Sequence, residues 1–138
     1  MENRLFQILL IEDDSEDAEI TIQALKKNNL VNPIIHIDDG EKALDFLFGQ
    51  QPDPSLVLLD LKMPKVDGIQ ILKSLRADPV KQHIPVIALI SSKEGRNYLE
   101  SFGVRADAYM IKPIDSKQFS AAIAHIGISS VILENPGK

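Results

Sequence analysis

The sequence contains no cysteine, which excludes a disulfide framework, a thiol nucleophile and a thiolate zinc site. Its apolar runs stop well short of the ~18 residues that cross a bilayer. The amino-terminal stretch Met1-Glu2-Asn3-Arg4-Leu5 lacks the long apolar core of a secretory signal. A cytoplasmic protein is expected. An excess of basic residues is missing too: 15 Lys and Arg stand against 20 Asp and Glu, giving a formal net charge of -5. That is the wrong sign for non-specific binding to phosphate backbones, so neither nucleic acid nor membrane is an expected partner. Repeats, linkers and low-complexity segments are absent. The 138 residues, 44% hydrophobic and 25% charged, match one ordinary folded domain spanning residues 1–138.

Five short apolar runs recur, Ile8 to Ile11, Ile34 to Ile37, Leu56 to Leu59, Val86 to Ile90 and Ala108 to Ile111, with helical patterns between them. This is a (βα)5 rhythm of the α/β class. The first, third and fourth runs are almost unbroken aliphatics, as expected of central parallel strands covered by helices on both faces. The second carries His36 and Asp38 and reads as an edge. A first helix starts at Asp14 and Ser15 with Ala18, Ile22 and Leu25 on one stripe, and frays at Asn28-Asn29. Gly40 to Phe48 forms the second. Asp67-Gly68 opens the third, with Ile71, Leu72 and Leu75 toward the sheet, and it stops before Pro79. The fourth runs from Arg96 to Phe102. Ser116 is expected to cap the fifth, with Phe119, Ile123 and Ile126 on one stripe, followed by an irregular extension at about 128–138.

Parallel βαβ units are right-handed almost without exception, so this order of elements predicts a doubly wound sheet with its site at the strands' carboxyl ends. Glu12 and Asp13 end the first strand, Asp60 ends the third, and Lys112-Pro113 follows the fifth. Carboxylates drawn this close repel unless a proton or a hard cation compensates, and an oxygen-rich group of this kind favours Mg2+. Asp60 could then act as a nucleophile toward a phosphoryl donor, with the metal and Lys112 neutralising charge. Taken singly, each acid could equally be a solvated strand end or a helix cap.

At this point the sequence resembles the receiver domain of two-component response regulators over essentially its whole length. Ile8-Leu9-Leu10-Ile11-Glu12-Asp13-Asp14 is similar to the family's first strand and acidic pair. Leu56-Val57-Leu58-Leu59-Asp60-Leu61-Lys62-Met63-Pro64, followed by Asp67-Gly68, is similar to the phosphoacceptor strand and its turn. Tyr109-Met110-Ile111-Lys112-Pro113 is similar to the fifth strand with its aromatic and lysine. Asn32-Pro33 and the run Asp39 to Leu47 further resemble stand-alone receivers related to phytochrome-associated response regulators. The resemblance implies a flavodoxin-like five-stranded parallel sheet in the order 2-1-3-4-5. It implies transfer of a phosphoryl group from a histidine kinase, of the phytochrome-like kind, to Asp60. Mg2+ would be held by Asp13, Asp60 and the backbone carbonyl of Lys62, with Glu12 acting through a metal-bound water. Lys112 would hold a phosphoryl oxygen, and the Lys112–Pro113 bond would be cis. Asp14 reads as a helix cap. With no residues left over for an output domain, such a regulator would act by contact with a downstream protein, and not as an enzyme.

Two departures from the family stand out. The hydroxyl residue expected at the end of strand four, thirty residues after Asp60 and twenty-two before Lys112, is Ile90. Ser91 could substitute only through a register shift, which alternation of side chains along a strand opposes. Tyr109 stands where the switch aromatic belongs, and reads either as a switch or as a half-buried strand residue with a wet hydroxyl. The second departure is Arg105 in place of a glycine, with Gly103 nearby, which predicts an early end or a rebuilt cap for helix four. The alternative to a phosphorylated regulator is therefore a pseudo-receiver that signals by binding alone. An aspartyl phosphatase would want an acid at Lys62, and a flavin site would want a phosphate-binding loop after strand one. His36, His83 and His125 read as structural or solvent-facing, Lys62 and Lys65 as loop lysines beside the acids. Ile128, Val131, Ile132 and Leu133 could cover the sheet or form a homodimer contact.

Overall fold

In the computed structural model, which describes residues 7–27, 32–61 and 67–127, the apolar runs are the strands of one sheet. The strands β1 (Ile8–Ile11), β2 (Ile34–Ile37), β3 (Leu56–Asp60), β4 (Val86–Ile90) and β5 (Ala108–Ile111) alternate with helices α1 (Ser15–Lys26), α2 (Gly40–Phe48), α3 (Gly68–Ala77), α4 (Glu94–Glu100) and α5 (Ser116–Ile126). All pairings are parallel, in the order β2-β1-β3-β4-β5, as the resemblance implied. The chain winds outward in both directions from β1 and β3, so the crevice between their carboxyl ends is the topological switch point.

Alternation along the strands sorts the core into two layers. Leu9, Ile11, Val57, Leu59, Val86, Ala88 and Ile90 point to one face, where Ala43 and Leu47 of α2, Ile71, Leu72 and Leu75 of α3 and Leu99 of α4 cover them. Ile8, Leu10, Leu56, Leu58, Ile87 and Leu89 point to the other, under Ala18 and Leu25 of α1 and Phe119 and Ile123 of α5. The three central strands are buried along their whole length, while β2 is only partly buried because it lies at an edge. This is why polar His36 is tolerated there.

The helix starts are chemical as well as geometric. Asp14, Asp39 and Asp67 cap α1, α2 and α3 by accepting hydrogen bonds from first-turn backbone N–H groups, each worth about 1 kcal/mol. For α5 the expected cap moves by one residue: Asp115, not Ser116, has the extended backbone of a cap and accepts from the N–H of Gln118. Helix α4 also differs from the Arg96 to Phe102 expectation. It begins two residues earlier and ends at Glu100, because the N–H groups of Phe102 and Gly103 close a tighter turn onto Leu99 and Glu100 and Gly103 takes φ +81°. That left-handed turn is the rebuilt cap which the displaced glycine foretold.

At the amino ends of β4 and β5, Arg76 acts as a knot. Its guanidinium donates to the carbonyls of Gln82, Ile84 and Arg105 and pairs with Asp107 at 2.9 Å, and Asp107 also accepts from the N–H of Val86 at 2.8 Å. At the opposite end, the turn from β3 into α3 closes on Gly68, whose N–H donates to Leu61 O at 3.0 Å. A methyl group there would lie 2.6 Å from Leu61 Cα and would strike the backbone carbonyl of Asp60. Gly68→Ala is therefore expected to lose at least about 2 kcal/mol of stability, measured by urea unfolding, with the damage centred on the end of β3.

Candidate functional site

The last register pair of β1 and β3 is Ile11 with Leu59, so the next residues, Glu12 and Asp60, end neighbouring strands side by side. Glu12 is fully buried and Asp60 is 4% exposed. Asp13, one residue further, faces solvent. The fourth member arrives from the far side of the sheet: Lys112 continues β5, its N–H donating to Ile90 O at 2.8 Å. Its ammonium reaches back across β4 to lie 3.0 Å from Glu12 Oε1 and 3.3 Å from Asp60 Oδ1. The Lys112–Pro113 peptide is cis. The four residues singled out in the sequence thus meet at one rim.

The electrostatics follow from burial. Removal from water, and then the neighbouring Asp60 carboxylate, push the Glu12 carboxyl up to about 7, against the opposing pull of Lys112. Desolvation and the charge of Asp60 also raise Asp13. Burial disfavours the Lys112 ammonium, but its close pairing with Glu12 and the charges of Asp60 and Glu12 outweigh this and hold it above the ordinary lysine range. Glu12, Asp13 and Asp60 each offer a carboxylate oxygen, all within 4.8 Å of one another. Glu12 Oε2 accepts from the N–H of Asp14 at 3.2 Å, whereas Oε1 meets Lys112 as an ion pair without an aligned hydrogen bond. Crowded, hard and incompletely neutralised, this donor set fits a hard divalent cation.

Other predicted residues fall at the edges of this rim. Asp14 serves as the cap of α1, accepting from Glu16 and Asp17 at 2.9 Å. Ile90 is 4% exposed, and its side chain packs on Gly95 so closely that a methyl there would come within 2.8 Å of Ile90 Cβ. Ser91 follows β4 as an exposed residue and lines, with Asp60, Ile90 and Tyr98, a cleft of about 290 Å3. Tyr109 is half-buried, and its hydroxyl has protein partners. It donates to Glu100 at 3.0 Å, accepts from the N–H of Ala106 at 3.3 Å, and its ring lies under the Arg96 guanidinium. His36 donates from Nε2 to the carbonyl of Glu12 at 2.8 Å, and His83 and His125 are exposed. Lys62 with its carbonyl, Lys65 and the extension at 128–138 lie outside the described residues.

Two participants escaped the sequence reading. Asp17 of α1 pairs with Lys112 at 3.2 Å; nothing in the sequence sets it apart from Glu16, the other acid of that first turn. Gln118 of α5 binds both backbone groups of Ile111, accepting from its N–H at 2.6 Å and donating to its carbonyl at 2.9 Å, and so holds the strand from which Lys112 projects. Neither contact has a sequence spacing that would betray it.

Because the folded protein holds the Glu12 proton more tightly than the unfolded chain, ionising Glu12 costs stability as pH rises from the ordinary 4.5 toward about 7. In metal-free solution the stability of the native protein relative to Glu12→Gln should fall across that interval, by at most about 1.4 kcal/mol per pH unit. Urea unfolding of both proteins in EDTA measures it.

The fold and the rim together define a doubly wound α/β protein whose carboxyl edge carries an acid cluster bridged by a lysine. Residues 8–124 match the response regulator receiver domain, and the chain belongs to that family. It is 31% identical over 132 residues to the response regulator Rcp1 of Synechocystis, a match covering 92% of this chain and 88% of that protein. Among solved structures, the bacteriophytochrome response regulator RtBRR is 40% identical with a TM-score of 0.87, over 96% of this chain and 84% of that one. The Mn2+-bound form of Rcp1 is 31% identical with a TM-score of 0.69, over 90% and 91%.

Proposed function

We propose that this protein is a response regulator that accepts a phosphoryl group on Asp60 from a histidine kinase and passes the signal on by protein contact. The observation that carries the reading is the Lys112 ammonium between Glu12 and Asp60 at the switch point. The similarity to a bacteriophytochrome response regulator and to Rcp1 supports a phytochrome-like kinase as donor. In the transfer an Asp60 carboxylate oxygen bonds to phosphorus while the P–N bond of the donor phosphohistidine breaks and its electron pair returns to the imidazole nitrogen. Lys112 meets the charge that gathers on the phosphoryl oxygens.

Asp13, Asp60 and the backbone carbonyl of Lys62 would hold Mg2+, with Glu12 reached through a water, and the Mn2+ form of the relative Rcp1 supports a divalent ion here. When bound, such an ion supplies positive charge against the phosphoryl group. Incubation with Mg2+ and a small phosphoryl donor, followed by intact mass measurement, should add one phosphoryl group to the native protein and none to Asp60→Asn. EDTA should abolish the gain. A gain that persists in Asp60→Asn would refute the assignment.

Ile90 favours a second reading, a pseudo-receiver that signals by binding alone. Ile90 has no hydroxyl to offer a phosphoryl group, and its side chain packs on Gly95 at the start of α4. A ligand shifts a two-state equilibrium only by its differential interaction with the two states. Lack of one charge-assisted hydrogen bond should lower the active-to-inactive ratio about tenfold or more. Amide shifts on adding Mg2+ and beryllofluoride should therefore grow around Tyr109 and α4 in Ile90→Thr relative to the native protein. Full shifts in the native protein, with nothing added by Ile90→Thr, would show that another donor has taken over the switch.

A further inference from the structure

Three carboxylates surround the Lys112 ammonium: Glu12 at 3.0 Å, Asp17 at 3.2 Å and Asp60 at 3.3 Å. An ammonium has three N–H donors; one is donated to Asp17, while Glu12 meets the ammonium as an ion pair without an aligned hydrogen bond. The three acids are not equivalent. Glu12 and Asp60 end strands and belong to the group whose oxygens converge within 4.8 Å with Asp13; both change their electrostatic state when a cation binds there, and the Asp60 carboxylate loses its own charge when it becomes an acyl phosphate. Asp17 stands on α1, outside that group, with its side chain 40% exposed. It is the one anchor whose chemistry stays the same before and after transfer.

We propose that Asp17 is a positioning residue for phosphoryl transfer, anchoring the Lys112 ammonium from α1 so that its remaining N–H groups stay aimed at Asp60 and at the phosphoryl oxygens that arrive there. The inference rests on the reading of Asp60 as phosphoryl acceptor. Lysine is a compact point charge on a flexible four-carbon stem, and holding that stem in one geometry before the reaction is what raises the yield of each encounter. The anchor joins residues 95 apart in the sequence, so it also ties the α1 side of the site to the β5 side. A favourable charge at the amino end of α1 does not account for it: Glu16 lies in the same turn and supplies the same helix-dipole benefit without pairing with Lys112.

That difference provides the control. The Lys112 ammonium of the native, metal-free protein should give a 15N-detected side-chain signal protected from rapid exchange. The signal should be lost in Asp17→Asn, retained in Glu16→Gln and restored in Asp17→Glu. With Mg2+ present, Asp17→Asn should bind beryllofluoride about fivefold more weakly, Glu16→Gln should bind as the native protein does, and Asp17→Asn should change nothing further in a Lys112→Met background. An unchanged Lys112 signal in Asp17→Asn, equal losses of affinity in Asp17→Asn and Glu16→Gln, or a full loss that persists in Lys112→Met would each overturn the role assigned to Asp17 alone. A native protein that binds no beryllofluoride would overturn the phosphoryl reading, and the positioning role with it.

Discussion

One ammonium compensates the negative charge that the winding of the sheet concentrates at its switch point. Reversal of strand order between β1 and β3 brings Glu12 and Asp60 side by side, and burial removes the water that would screen them. Two adjacent buried carboxylates are tolerable only with a proton, a cation or a positive side chain between them. Lys112 fills that place from two strands away, so the site depends on β4 and β5 keeping their register. The backbone bond from Lys112 to Ile90 and the Gln118 clamp on Ile111 are the local means by which that register becomes a position for one nitrogen atom.

The two ends of the sheet do different work. At the amino ends, Arg76 and Asp107 satisfy four backbone groups and each other, closing the loops that lead into β4 and β5. At the carboxyl ends, charges are crowded and only partly neutralised, which is unfavourable for folding and useful for chemistry. A parallel sheet permits this division because every strand runs the same way, and the apolar layers on its two faces separate the ends by the full length of the strands.

Much of this was legible in the sequence. Unbroken aliphatic runs such as Leu56 to Leu59 and Val86 to Ile90, spaced between helical stripes, read as central parallel strands, and residues that directly follow such strands share an edge; hence Glu12, Asp60 and Lys112 could be placed together. Asp14 and Asp67 declared themselves as caps by preceding helical stripes. The misses have physical causes. Asp115 and Ser116 are both good caps, and only the backbone angles decide between them. The limits of α4 depended on Gly103 taking a left-handed turn, and its stripe was too short to show a period. The partners of the Tyr109 hydroxyl, Glu100 and the Ala106 N–H, could not be named because they come from a helix end and a loop that no periodicity relates to it. Asp17 was hidden by the ordinariness of an acid in a first helical turn.

The Gln118 side chain carries a consequence for association. The outer edge of a terminal strand offers backbone donors and acceptors to any other extended chain, which makes it a template for strand addition and aggregation. At Ile111 both groups are already taken by one amide, which behaves as a single-residue mimic of a neighbouring strand. A second chain approaching β5 at this point meets a closed edge, so recognition there falls to side chains, which can discriminate between partners, and not to backbone pairing, which cannot.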